Sequence, residues 1–209
     1  MICKGQTSKL DLSHYETENK TYMSFLTFSW AFIADADIES ECIRFMGVLR
    51  NDIWAVWRIL NLRTYRAKFS YLPLEKKKPT EQIENVLPAF NDAVPSNWVT
   101  MEEDFILFWA SQVTHAASNL FQSPQSKLQD GIFNILVIRK PCSRFELTKI
   151  LLGLETGAHV GSKKAEFFEC VAFRLDPISG GSFNDVDGEV VEPGRIQARV
   201  LPSAMNCFT

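Results

Sequence analysis

The alternation of apolar and polar positions divides the chain into many short strands and three helices. Lys9 to Leu12 reads as a short strand, followed by a polar turn from Ser13 to Asn19. Thr21 to Ala31 (TYMSFLTFSWA) is rich in β-branched and aromatic residues. Its apolar positions fall on both faces, which predicts a strand covered on both sides. The period then changes. Asp37 to Leu49 places Ile38, Cys42, Phe45 or Met46, and Leu49 at helical spacing, with Asp37 and Glu39 near the start. Acidic residues suit the positive end of a helix. Asn51 or Asp52 then caps a second helix, Ile53 to Arg63.

The rest of the chain reads as β-rich. Lys68 to Leu74, Asp104 to Ala110 and Ile132 to Ile138 are apolar strands, and Glu75 to Asn97 is a long Pro-containing loop with the run Lys76-Lys77-Lys78. Ser143 to Thr156 is the clearest helix, because Ser143-Arg-Phe-Glu146 has capping-box spacing and Gly157 follows as a terminator. Cys170 to Leu175, Glu189 to Val191 and Arg195 to Leu201 complete the strands. Gly180-Gly181, Asp187-Gly188 and Pro193-Gly194 mark turns between them. The pattern predicts an α+β fold. It is a mostly antiparallel β-sandwich lobe with an early helical pair and one later helix, without the βαβ rhythm of a Rossmann fold.

Composition narrows the function classes. The chain has 209 residues, enough for one large domain. Its net charge is −3, with 22 basic and 25 acidic residues, which argues against a nucleic-acid partner. Five cysteines without CxxC spacing and three scattered histidines give neither a disulfide scaffold nor a zinc site. The N-terminus is polar, and the most apolar stretch, Tyr22 to Ala34, is broken by Ser24, Thr27 and Ser29. A membrane span needs about 20 apolar residues, so membrane contact is expected to be peripheral.

The candidate chemistry is concentrated in two places. Asp37 and Glu41 are four apart and share a helix face, and Arg44 follows by three. Paired carboxylates beside an arginine suit an amine or hydroxyl on one side and a phosphate on the other, although the same spacing also describes a solvated face with weak ion pairs. Asp185-Val-Asp187-Gly-Glu189 is a tight acidic turn that suits either a Mg²⁺–nucleotide contact through Asp187 or Glu189, or an ordinary hairpin. The second helix, with Trp54 and Trp57, is apolar on more than one stripe and reads as a core helix or as the wall of a ligand pocket. No GxGxxG, P-loop or kinase HRD/DFG set is present, and the loop Ser179 to Ser182 lacks the following Asp-Gly of a phosphate cradle.

Several stretches together resemble the sphingosine kinases. They are Ser29-Trp-Ala-Phe-Ile-Ala-Asp-Ala-Asp-Ile-Glu-Ser-Glu41, Leu62-Arg-Thr-Tyr-Arg66 with Phe69-Ser-Tyr-Leu-Pro73, and Glu103-Asp-Phe105. Val171-Ala-Phe-Arg-Leu-Asp-Pro177 follows, then Val186-Asp-Gly-Glu189 with Ile196-Gln-Ala-Arg-Val-Leu-Pro202. They occur in the family's order from about Leu10 to Pro202, and the first is the most specific. The resemblance implies a lipid kinase that transfers phosphate from ATP to the primary hydroxyl of a sphingoid base. Residues 1–209 would form its C-terminal lipid-binding lobe. A glycine-rich loop and the catalytic aspartate belong to the family's N-terminal lobe, so no catalytic residue is expected in this chain and the chain alone is expected to be inactive. A sphingoid-base-binding or interaction protein without catalysis is the alternative, and ceramide or diacylglycerol are the alternative acceptors.

By the same resemblance, Asp37 recognises the head group with Glu41 beside it, and the helix around Trp54 and Trp57 is the lipid gate. Arg44 and Arg50 reach the ATP phosphates, and Asp187 and Glu189 approach the nucleotide, with Asp187 nearest Mg²⁺. Ala31 stands where the family commonly has Gly. The implied setting is cytoplasmic, with peripheral recruitment to membranes, and a homodimer is left open.

Overall fold

The computed structural model describes residues 5–47, 49–76, 86–178 and 180–208. The strands are Thr7–Glu16 (β1), Thr21–Ser24 (β2), Thr27–Ala31 (β3), Tyr65–Leu72 (β4), Val99–Ser111 (β5) and Phe133–Arg139 (β6). Glu166–Cys170 (β7), Ala172–Pro177 (β8), Asn184–Val186 (β9), Glu189–Val191 (β10) and Ile196–Phe208 (β11) follow. The helices are Phe32–Glu39 (α1), Leu49–Leu60 (α2) and Arg144–Gly153 (α3). All strand pairs are antiparallel, in the order β10-β9-β3-β5-β4-β8-β11-β1-β2, with β6 joining β5 to β7. The sheet curls on itself into the expected sandwich-like α+β lobe.

The curl encloses an aromatic core. Tyr15, Phe28, Phe69, Phe108, Phe133 and Phe173 are buried together. Phe69 and Phe108 meet edge to face at 5.0 Å, and Phe133 and Phe173 at 5.2 Å. That geometry aligns the ring edges with the negative ring faces. On β6, Phe133, Ile135 and Val137 enter this core, whereas Leu136 and Ile138 enter a second one under the helices. This two-sided burial is why β6 reads as an unbroken apolar run. On β5 the register against β6 shifts between Phe105 and Leu107, so Ile106 and Leu107 both face the helices. A bulge of this kind reverses the facing of every later residue.

The strand ends and the first helix depart from the sequence expectation. Thr21 to Ala31 is two strands, β2 and β3. α1 begins at Phe32 rather than Asp37 and runs into a 3-10 segment at Ser40–Met46, with Ile43 off helical geometry. The anticipated apolar stripe therefore does not form: Cys42, Phe45, Met46 and Leu49 are exposed. Asn51 and Asp52 lie inside α2 instead of capping it, and Asn51 accepts a hydrogen bond from the Ser40 hydroxyl at 2.9 Å. The core-helix reading of α2 is also corrected. Its only fully buried residue is Arg58, while Ile53, Val56, Trp57 and Leu60 are exposed.

The third helix starts as its sequence predicts but ends at Gly153 rather than Thr156, with Leu154 as its C-cap, so Gly157 leads into the 3-10 turn Ala158–Gly161 instead of terminating the helix. The Ser143 hydroxyl accepts from the Glu146 N–H at 3.2 Å, and Glu146 accepts from the Ser143 N–H at 2.8 Å. Gly157 sits at φ 78°, a left-handed turn that favours glycine. Arg144 Nε donates to the Ile59 carbonyl at 3.1 Å, which ties the start of α3 to the end of α2. Of the Lys76–Lys78 run, Lys77 and Lys78 lie outside the described residues, as does Ser179.

Candidate functional site

Three helices meet the outer face of β5 without closing on it, and a charge network ties the first two to each other and to β4. Asp35, on α1, receives Arg58 Nη2 from α2 at 2.8 Å and the Tyr65 hydroxyl from β4. Glu39 accepts from Arg63 at 2.7 Å and from the Trp54 indole N–H at 3.1 Å. Burial pushes the Asp35 carboxyl above its ordinary range against the pull of Tyr65 and Arg58, and burial pushes Tyr65 up to about 12. The chain enters α1 through Ala31 at φ 66°, ψ −126°, where its N–H donates to the Ser182 hydroxyl at 2.8 Å. The same hydroxyl donates to Asp35 at 3.3 Å.

Between these elements lies a cavity of about 550 Å³. α1 contributes Phe32, Ile33 and Ala36, α2 contributes Ala55, Val56 and Ile59, and α3 contributes Leu151 and Leu152. Trp109 of β5 and Leu120 add further apolar wall. The charged lining is acidic: Asp37, Asp52, Asp185 and Asp187. Asp37 borders the β9–β10 hairpin, since a Cβ on Gly188 would stand 4.0 Å from Asp37 Oδ2. An apolar pocket of this size with a few convergent polar groups is the usual form of a small-molecule site.

The hairpin is positioned by its own turn chemistry. Asp187 and Gly188 both have positive φ, 55° and 85°, as a type I′ turn requires. Asp187 Oδ1 accepts from the Ser24 hydroxyl at 2.6 Å and from the Thr27 N–H at 3.0 Å, which pins the turn to the β2–β3 corner. β9 pairs with β3 so that Asp185 stands opposite Ser29, whose hydroxyl donates to Asp185 Oδ2 at 2.6 Å. Burial raises Asp185 to about 6; the Ser29 bond opposes this, and the charge of Asp37 adds to it. Asp37 is also raised, by burial, with Arg50 pulling the other way.

The residues singled out in the sequence are brought together only in part. Arg50 reaches both Asp37, at 3.9 Å, and Glu41, so these three form one cluster at the cavity rim. Arg44 pairs with Glu41 at 3.4 Å and is 82% exposed, free to reach a further anion. Glu189 is exposed beyond the turn. Trp54 and Trp57 are not among the cavity walls: Trp54 binds Glu39, and Trp57 faces solvent. Among the described residues no group of three or more His, Cys, Asp or Glu side chains is arranged to hold a metal. With one Asp187 oxygen already taken by two protein donors, these residues do not form a Mg²⁺ site by themselves.

Three residues of the site escape a reading by motif. Asp35 has Asp37 and Glu39 beside it in α1, and Arg58 lies among apolar residues of α2, so their pairing shows only once the two helices pack. Asp185 differs from its turn neighbours only in facing Ser29 across the strand pair, which needs the sheet register to be seen.

Comparison with known proteins agrees with this architecture. The sequence pattern of the YegS C-terminal NAD kinase beta sandwich-like domain matches residues 110–209. Sphingosine kinase 1 of Homo sapiens is 31% identical across 97% of the chain and 56% of its own length, and that of Mus musculus is 30% identical over the same shares. Sphingosine kinase 1 of Arabidopsis thaliana is 29% identical across 95% of the chain and 44% of its own length. The chain thus spans about half the length of the curated relatives it matches. A solved structure from Bacillus anthracis, assigned as a diacylglycerol kinase, superposes with a TM-score of 0.61 at 12% identity. It covers 98% of this chain and 58% of its own, a likeness of fold. In sequence the chain is thus similar, over nearly its whole length, to about half of each of these sphingosine kinases, and in fold to part of the solved structure.

Proposed function

We propose that the chain supplies the lipid-binding part of an ATP-dependent kinase acting on the primary hydroxyl of a sphingoid base. The observation that carries this is the pairing of one long apolar cavity with carboxylates gathered around Asp37 and the β9–β10 hairpin. A sphingoid base is a cation with hydroxyls and a long tail. Each buried methylene contributes about 0.8 kcal/mol, so the apolar walls supply most of the affinity. Asp37 pairs with the ammonium or accepts from a hydroxyl, and thereby fixes the end of the lipid that reacts.

The remaining rim residues serve the phosphate side. ATP is the phosphate donor in this reading. Arg44, exposed and tethered only to Glu41, is the residue free to approach its phosphates. Arg50 holds Asp37 and Glu41 in place from the same side. By the resemblance, proton removal from the hydroxyl falls to an aspartate of an N-terminal lobe, so the 209 residues alone bind lipid with little turnover. The exposed Val56, Trp57 and Leu60 of α2, beside the cavity, suit peripheral contact with a membrane from which the lipid is drawn.

Saturable quenching of tryptophan fluorescence by sphinganine tests this reading, since Trp109 lines the cavity. The reading expects saturable binding that weakens about tenfold or more with Asp37→Asn. No saturable change, or tighter binding of diacylglycerol than of sphinganine, would overturn it.

A further inference from the structure

We propose that Asp185 is a specificity-determining carboxylate of this cavity, which together with Asp37 selects lipids bearing a protonated amine over neutral lipids. The inference rests on the lipid-binding reading above and adds to it a second carboxylate, from the β9–β10 hairpin, as a determinant of head-group specificity.

Asp185 is 5% exposed and lines the cavity. Its Oδ2 is satisfied by Ser29 at 2.6 Å, but its Oδ1 is buried without a hydrogen-bond partner. Among the described residues no Lys, Arg or His side chain pairs with Asp185, and the cation on this rim, Arg50, is engaged by Asp37 and Glu41. The Gly188 N–H is the one backbone donor directed at this carboxyl, no hydrogen bond of good geometry closes on Oδ1, and no cation reaches it. A buried carboxylate oxygen so placed is costly, and natural structures retain such groups where something else completes them. What completes this one is set by its surroundings. Asp37 and Asp187 stand beside it, so an anion is excluded and a cationic donor is favoured. A single ammonium between Asp37 and Asp185 satisfies the free oxygen and relieves the repulsion between the two carboxylates. A neutral hydroxyl or amide offers at most the hydrogen bond and leaves the repulsion in place. The two carboxylates come from different elements, α1 and β9, so the seat exists only once the hairpin is docked on β3.

The test compares two lipids that differ in charge and share a tail: sphinganine and its uncharged N-acetyl derivative, each titrated against the 209-residue chain. The chain is expected to bind sphinganine at least tenfold more tightly. Asp185→Asn keeps the shape and the acceptor for Ser29 but removes the charge. It is expected to weaken sphinganine binding about tenfold and to change N-acetyl-sphinganine binding by less than about twofold, so that the preference collapses. Asp185→Ala provides the same readout if the first variant folds poorly. A preference unchanged in both variants, with wild-type binding of both lipids intact, would overturn the role of Asp185 alone. Failure of the wild-type chain to bind either lipid would overturn the lipid-binding reading and this inference with it.

Discussion

Arg58 and Asp35 form an ion pair at 2.8 Å with side chains that are 2% and 0% exposed, one from each of two successive helices. It is the contact that sets α2 against α1 and hence opens the cavity between them. Two charges removed from water cost more than their attraction returns unless further bonds complete them. Here Tyr65 and Ser182 do so for Asp35.

Arg58→Ala should therefore be severely destabilising, by about 3–5 kcal/mol in urea unfolding at pH 7.5, because it strands a buried carboxylate. Asp35→Asn in the same background should recover part of the loss, since a neutral amide needs no counter-charge. Additive losses in the double variant would contradict the pairing.

Ala31 should be improved by glycine. At φ 66°, ψ −126° a side chain is strained by about 1–3 kcal/mol, more than the methyl group returns on burial. Ala31→Gly is expected to raise stability by about 1 kcal/mol, measured as a shift in the urea midpoint at constant slope. A loss of stability would show that the backbone there relaxes without cost.

Part of this was readable from the sequence and part was not. The capping box at Ser143 and the Asp187-Gly188 turn are local devices, so a few residues suffice to predict them. The continuous apolar run of β6 likewise announced a strand, and the structure shows it buried on both sides. α2 misled because periodicity reports where apolar residues lie, not which side meets the protein. Ile53, Trp57 and Leu60 point outward, Ala55 and Ile59 are only partly buried against the second core, and the fully buried position is a charge matched by Asp35 23 positions earlier. Asp37, Glu41 and Arg44 were visible as a cluster, whereas Arg50 joins Asp37 and Glu41 only once α2 is packed, and Asp185 required the register of β9 on β3. Long-range pairing of this kind leaves no local trace.

The buried acids give the protein a pH dependence of known sign. Asp185 has a folded-state pKa of about 6 against an ordinary value of 3.8, so the folded protein holds this proton more tightly than the unfolded chain. Its contribution to stability is greatest below pH 4, falls as the pH rises from 4 to 6, and is flat above that. The fall amounts to about 3 kcal/mol at most. Asp185→Asn should therefore stabilise the chain at pH 7.5 and make little difference at pH 4. Urea unfolding at both pH values checks this, and an equal effect at both would contradict it.

Filling the cavity should separate binding from folding. Ala55 lines it from α2, and Ala55→Phe places a ring in the space without touching the charge network. Sphinganine affinity is expected to drop more than tenfold with unfolding free energy changed by less than about 1 kcal/mol. Undiminished binding would place the lipid elsewhere on the molecule.

The most direct measurement is a crystal structure of the chain with sphinganine. The account predicts the tail in the cavity between α2 and α3, with the ammonium within about 3 Å of the Asp37 carboxylate and facing Asp185. A lipid bound on the outer face of α2, or with its amine turned away from both carboxylates, would contradict it.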